Sequence, residues 1–182
     1  TQLIRFIQKA CGYALSGDVS EQCLFILWGT GANGKSTFLN VLLQLFGDYG
    51  CSTGIETFTK KNKEQSNDLA RLKGARLVTT SELEQGSPMS ESLIKSVTSE
   101  DSLTARFLYG EYFSFKPTFK IFMATNHKPK IRGADNGIWR RIKMIPFTVT
   151  IPPEQRDKRL TEKLIAENSG ILHHCLILHQ II

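Results

Sequence analysis

Between residues 2 and 15, apolar side chains recur at Leu3, Ile4, Ile7, Ala10 and Cys11, close to the 3.6-residue period of a helix. Gly17-Asp18 then breaks the pattern. Cys23-Leu24-Phe25-Ile26-Leu27-Trp28 is a continuous apolar run bounded by a Gly-rich stretch, which predicts a strand covered on both faces in a parallel sheet. Helical spacing returns over residues 36–46 and stops at Gly47, so strand, Gly-rich turn and helix make half of a βαβ unit. Residues 59–68 are polar, with Lys60, Lys61 and Lys63, and predict a loop opening a helix near Asn67-Asp68-Leu69. A second buried strand is expected at 76–81, then a Gly86-Ser87-Pro88 loop and a helix over 90–97. Residues 103–115 alternate apolar and polar around Tyr109-Gly110-Glu111, the pattern of a β-hairpin. Strands at 119–125 and 141–150 and a closing helix over 161–182 complete the reading. The fold class is α/β, a mostly parallel sheet flanked by helices with an inserted hairpin. Residues 1–20 are expected to pack on a core spanning 21–150, followed by a helical segment over 151–182.

Composition narrows the class. At 182 residues the chain supports one sizeable core. Its 23 Lys and Arg against 17 Asp and Glu give a net charge of +6, which favours anionic partners such as nucleotides or nucleic acid. No apolar run approaches the roughly 20 residues needed to cross a bilayer, so an intracellular protein with no membrane partner is expected. Cys11, Cys23, Cys51 and Cys175 are scattered and read as buried thiols, not as a zinc knuckle or a disulfide framework. Cys175 and His179 share a helical face near His173 and His174, but two ligands from one helix half-fill a zinc shell, and incidental histidines are the better reading. A start at Thr1 and an end at Ile181-Ile182 suggest a piece of a larger protein.

Gly29-Thr30-Gly31-Ala32-Asn33-Gly34-Lys35-Ser36 fits G-x-x-x-x-G-K-[ST] without a mismatch, and Thr37 follows it. Glycines let successive N–H groups turn toward a phosphate, and the helix that follows adds the positive end of its dipole. Lys35 would reach the β- and γ-phosphates of ATP, and the Ser36 hydroxyl would ligate Mg²⁺. Hydrolysis also needs a carboxylate at the end of a neighbouring strand. Glu82, which follows Leu77-Val78-Thr79-Thr80-Ser81, is that candidate for water and Mg²⁺, with Glu84 two positions on; the alternative is a pair of solvated loop carboxylates. Asn126, after the strand at 119–125, could donate to the γ-phosphate and hold the attacking water, or simply open a turn. In Trp139-Arg140-Arg141, one guanidinium could complete a neighbouring subunit's site, Arg141 being placed slightly ahead, against the plainer reading of a surface ion pair.

Taken together, these segments resemble superfamily 3 helicases, which belong to the AAA+ ATPases, and specifically the phage/plasmid primase-helicase C-terminal family. The resemblance rests on the phosphate loop with Trp28 and Thr37, on Ser81-Glu82-Leu83-Glu84, Leu103-Thr104-Ala105-Arg106-Phe107, Phe115-Lys116-Pro117-Thr118-Phe119-Lys120, Ala124-Thr125-Asn126-His127-Lys128-Pro129 and Ile138-Trp139-Arg140-Arg141-Ile142. It implies an AAA+ type P-loop core, a homo-hexameric ring with ATP and Mg²⁺ between subunits, and translocation on single-stranded DNA. It further implies the Walker B role for Glu82, the sensor role for Asn126 and a trans-acting finger at Arg140 or Arg141. The hairpin would enter the ring channel, with Arg106 and Lys116 on phosphates and Tyr109 stacking on bases, or else with these side chains packing across the hairpin. A primase region elsewhere in the parent protein and a location in the cytoplasm of a bacterial host cell are also implied. Ser99-Glu100-Asp101 stands where the family often has Gly-Gly-Asp, which bears on Lys95 and Asp101, and His173-His174-Cys175 stands where it usually has Trp.

The competing classes are a P-loop phosphotransferase acting on a small molecule and a DNA-binding module that uses ATP only to assemble. A GTPase is disfavoured because Asn126-His127-Lys128-Pro129 is not the Asn-Lys-x-Asp guanine reader.

Overall fold

A computed structural model of the chain describes residues 2–59, 65–81, 89–128 and 136–179. The first helix, α1 (Gln2–Ser16), leads into β1 (Leu24–Trp28), and α2 (Lys35–Phe46) follows the phosphate loop. Then come β2 (Gly50–Ser52), α3 (Gln65–Ala70), β3 (Leu77–Ser81) and α4 (Glu91–Val97). β4 (Leu103–Ala105) and β5 (Phe113–Phe115) precede β6 (Lys120–Thr125), α5 (Asn136–Trp139), β7 (Ile142–Pro146), α6 (Leu160–Ala166) and α7 (Asn168–His179).

Five strands form one sheet in the order β2-β3-β6-β1-β7, all parallel. Successive side chains of a strand point to opposite faces, and both faces of the central strands are covered. Leu24 and Ile26 of β1 enter one core with Val78, Ile121 and Met123, beneath α4, α5 and the hairpin. Phe25 and Leu27 enter the other with Leu77, Phe122 and Ala124, beneath α1, α2 and α7. This double burial is why β1 and β6 read as unbroken apolar runs. β1 lies between β6 and β7, so the connection from β6 to β7 crosses over it and the strand order reverses there. Ligand crevices of open α/β sheets form at such a reversal, outside the carboxyl ends of the strands.

Three features depart from the sequence reading. β2 is too short for its period to be read from sequence; Gly50, Cys51 and Ser52 gain strand geometry by pairing with Leu77, Val78 and Thr79. The expected strand over 141–150 stops at Pro146, which has no N–H to extend a ladder, although Phe147 N–H still donates to the Trp28 carbonyl at 2.7 Å. The single closing helix is two, because Glu167 leaves helical geometry at φ −95°, ψ 8°. Asn168, Ser169 and Gly170 in succession propagate a helix poorly. Among the described residues, no helix is long and apolar enough to cross a membrane.

Candidate nucleotide site

The phosphate loop leaves the carboxyl end of β1 at the reversal point and is stitched to both flanking strands. Gly29 N–H donates to the Thr125 carbonyl at 3.3 Å, and Ile151 N–H donates to the Ala32 carbonyl at 2.8 Å. The Asn33 amide nitrogen donates to the carbonyls of Thr30 and Phe147, the latter at 2.7 Å. Gly29 has no room for a side chain, since a Cβ would sit 1.9 Å from the Phe147 carbonyl oxygen. Gly34 adopts φ +87°, a left-handed conformation that favours glycine, and Ala32 holds φ 58° under its bond from Ile151. The result is a cradle of about 360 Å³, lined by residues 31–37 and by Ala124, Thr125 and Asn126.

Lys35 opens α2 yet is buried, and its Nζ donates to the Gly29 carbonyl at 2.5 Å and to Oδ1 of Asn33 and of Asn126, each at 3.1 Å. Burial pushes its pKa below the usual lysine value. A lysine held by neutral oxygens retains its charge for an anion that replaces one of them. Register explains Asn126: Trp28 pairs with Thr125, which places the residue after β6 beside the loop after β1. The Asn126 side chain is exposed toward the cradle.

On the other side of α2, Ser36 shares a cavity of about 90 Å³ with Ser52, Thr79 and Thr80 at the carboxyl end of β3. Thr80 Oγ1, on the other face of the sheet with Val78 and Met123, is buried without a hydrogen-bond partner among the described residues. Ser36, Ser52 and Thr79 offer hydroxyl oxygens to this void, and Leu39 and Leu43 line the rest of it. Glu82 and Glu84 lie outside the described residues. Ser81, the residue before Glu82, pairs with Ala124, two residues before Asn126.

Arg140 and Arg141 sit at the opposite edge. The Arg141 carbonyl accepts from Leu24 N–H at 2.8 Å, at the amino end of β1, while the loop leaves the carboxyl end. The strand between them is five residues, roughly 15 Å at about 3.3 Å per residue. Both guanidiniums donate to Gln22 Oε1, Arg140 at 2.7 Å and Arg141 at 2.6 Å. Arg141 is buried, whereas Arg140 is exposed. Sequence reasoning missed Gln22 and the Asn33 staple, because their partners lie more than a hundred residues away.

β4 and β5 pair antiparallel with Leu103 opposite Phe115 and Ala105 opposite Phe113. The segment between them is docked on α3, where Arg106 N–H donates to Ser66 Oγ and Leu108 N–H to Asn67 Oδ1. At its tip Tyr109 is 98% exposed with φ 62°, and the Arg106 guanidinium stacks 4.9 Å from the Tyr112 ring. Lys116, just after β5, is exposed. In the Ser99-Glu100-Asp101 turn, Ser99 Oγ donates to Asp101 Oδ2 at 3.0 Å and closes the turn locally. Lys95 lies in the last turn of α4. Among the described residues, no three His, Cys, Asp or Glu side chains gather as metal ligands; His173 and His174 are exposed, and the His179 side chain lies outside the description.

Comparison with known proteins adds relatives to this geometry. The chain is 39% identical over 145 residues to a protein of Acanthamoeba polyphaga mimivirus provisionally named a helicase, covering 78% of this chain and 15% of that protein. It is 29% identical over 153 residues to another so named from Frog virus 3 (80% of this chain, 16% of that protein). It is 29% identical over 133 residues to a protein of Fowlpox virus named primase D5 (70% and 17%). The chain thus spans less than a fifth of the length of these relatives. Their viral sources give no support to the expected bacterial host. Among solved structures, the fold matches the C-terminal region of NrS-1 with a TM-score of 0.73 at 14% identity, covering 94% of this chain and 40% of that one. It matches JCV helicase with a TM-score of 0.57 at 13% identity, covering 96% and 61%. A family model described as "Family of unknown function (DUF5906)" matches residues 27–141. That match spans more than half of the sequence, and the chain belongs to the DUF5906 family.

Proposed function

We propose that this chain is the ATP-hydrolysing core of a replicative DNA helicase of the superfamily 3 type. The observation that carries the proposal is the meeting of Lys35 and Asn126 in one cradle at the reversal point of a parallel sheet. The helicase and primase names of the viral relatives support the same class.

In this reading the backbone of residues 29–35 and the Lys35 ammonium bind the β- and γ-phosphates. An apolar cavity of about 360 Å³ shares Gly34 and Thr37 with the cradle and continues between α1, α2, α6 and α7; it suits the base of the nucleotide. Ser36, with Glu82, the next residue in sequence after β3, would hold Mg²⁺, which would supply charge neutralisation at the phosphates. Asn126 orients the attacking water through its amide. Arg140 serves a neighbouring protomer's site in a homo-hexamer: it lies across the sheet from its own cradle, and its guanidinium is the exposed one of the pair. The hairpin tip, with Tyr109 projecting and Arg106 and Lys116 nearby, contacts single-stranded DNA. The greater length of the relatives leaves room in the parent protein for further parts, a primase region among them.

The test is phosphate release from Mg-ATP with and without a single-stranded oligonucleotide. DNA should stimulate release, and Lys35→Ala should abolish it. Equal turnover in both conditions together with phosphorylation of a nucleoside or sugar would replace this reading with a small-molecule phosphotransferase. ATP-driven assembly without phosphate release would replace it with a DNA-binding module.

A further inference from the structure

α1 and α7 pack against each other although they bracket the whole described chain, and a pair of cysteines lies in that contact. Cys11 on α1 and Cys175 on α7 are both buried, both belong to the core beneath the sheet, and both line the apolar cavity that adjoins the phosphate cradle. The two thiols interact directly, each being the main influence on the other's ionisation, with Cys11 pushed above the ordinary thiol value and Cys175 below it. Cys23 and Cys51 line neither this cavity nor the cradle. The cavity they line holds about 360 Å³, room for several small molecules.

We propose that Cys11 and Cys175 form a peroxide-oxidisable dithiol, whose disulfide ties α1 to α7 in the wall of the nucleotide cavity. The oxidant is hydrogen peroxide, small enough to enter. Cys175 loses its proton, and its thiolate sulfur attacks one peroxide oxygen. The O–O bond breaks, hydroxide leaves and takes up that proton, and a sulfenic acid remains. The Cys11 sulfur then attacks the Cys175 sulfur, the S–O bond breaks, and the departing hydroxide takes the Cys11 proton as a second water. Two thiols lose two electrons and two protons, and one peroxide becomes two waters. The interaction between the two thiols holds Cys175 below and Cys11 above the ordinary thiol value, so Cys175 is written as the first nucleophile. Closing the bond brings the sulfurs to about 2.05 Å, well inside non-bonded contact, and draws the two helices together. The cavity between Gln8, Leu164 and the phosphate loop narrows with them. Only this effect on nucleotide rests on the function proposed above.

Folded protein is treated with hydrogen peroxide, then mapped by mass spectrometry after proteolysis without reductant. The expected product is a linked Cys11–Cys175 peptide pair, 2 Da lighter than the two thiols, which dithiothreitol restores. Cys23→Ala and Cys51→Ala proteins should form it unchanged. Titration with a fluorescent ATP analogue should show several-fold weaker binding by the oxidised form, reversed by dithiothreitol. Failure to find the linked pair in folded protein, or its appearance only in denaturant, would overturn the dithiol. A linked pair with unchanged nucleotide affinity would overturn the coupling. Absence of binding in both redox states would count against the nucleotide site, while the mapped linkage would still stand.

Discussion

Replacing Lys120 with methionine should stabilise this protein near neutral pH and do so less as the solution becomes alkaline. Lys120 opens β6 with its side chain inside the fold, 1% exposed, and its Nζ has no hydrogen-bond partner among the described residues. The ammonium lies 4.3 Å from the centre of the Tyr13 ring. Burial is the main cause pushing its pKa down to about 8; Arg76 adds to the shift and Asp18 opposes it. A fall from 10.5 to about 8 corresponds to about 3 kcal/mol carried against the charged form, at about 1.4 kcal/mol per unit. The aromatic face returns about 1–2 kcal/mol of that. Methionine keeps the apolar stem and removes the charge, so a net gain of about 1–2 kcal/mol is expected at pH 7.

The sign of the pH dependence follows from proton counting. Below about pH 8 both folded and unfolded chains hold the Lys120 proton, and the penalty is constant. From about pH 8 to 10.5 the folded chain has released it while the unfolded chain retains it, so the penalty fades as pH rises. The Cys23 thiol, pushed up to about 11, and the Tyr13 hydroxyl, pushed up to about 12, act in the opposite sense in alkali. The quantity to follow is therefore the difference between variant and parent. Urea denaturation of both proteins at pH 7 and pH 10 measures it. A variant less stable than the parent at pH 7, or an advantage that does not shrink by pH 10, would refute this account of Lys120.

Asn33→Ala removes the donor to the Thr30 and Phe147 carbonyls and one acceptor of Lys35, and should weaken fluorescent-nucleotide binding about tenfold with roughly 1–2 kcal/mol lost in thermal unfolding. Arg140→Ala should lower hydrolysis by about a thousandfold while leaving nucleotide affinity intact, and mixing it with Lys35→Ala protein should restore part of the activity across interfaces. No recovery in the mixture would remove Arg140 from the site.

How much of this was legible along the chain depends on the range of the interaction. The central strands β1 and β6 are written in apolar runs because both faces are buried, and the phosphate loop is written in its glycines because the backbone must turn and Gly29 must lie against Phe147. The hairpin follows from its alternation, and its pairing of Leu103 with Phe115 is local. Patterns of this kind report burial and turning at each position; they do not say which buried strand pairs with which. Only tertiary structure placed β6 between β1 and β3, and that order brings Asn126 to Lys35, 91 residues apart. It also decided that Arg141 turns inward while Arg140 stays exposed, and that Cys11 meets Cys175. Each of these is a contact between distant segments, set by how the layers close on one another, and no local period carries that information.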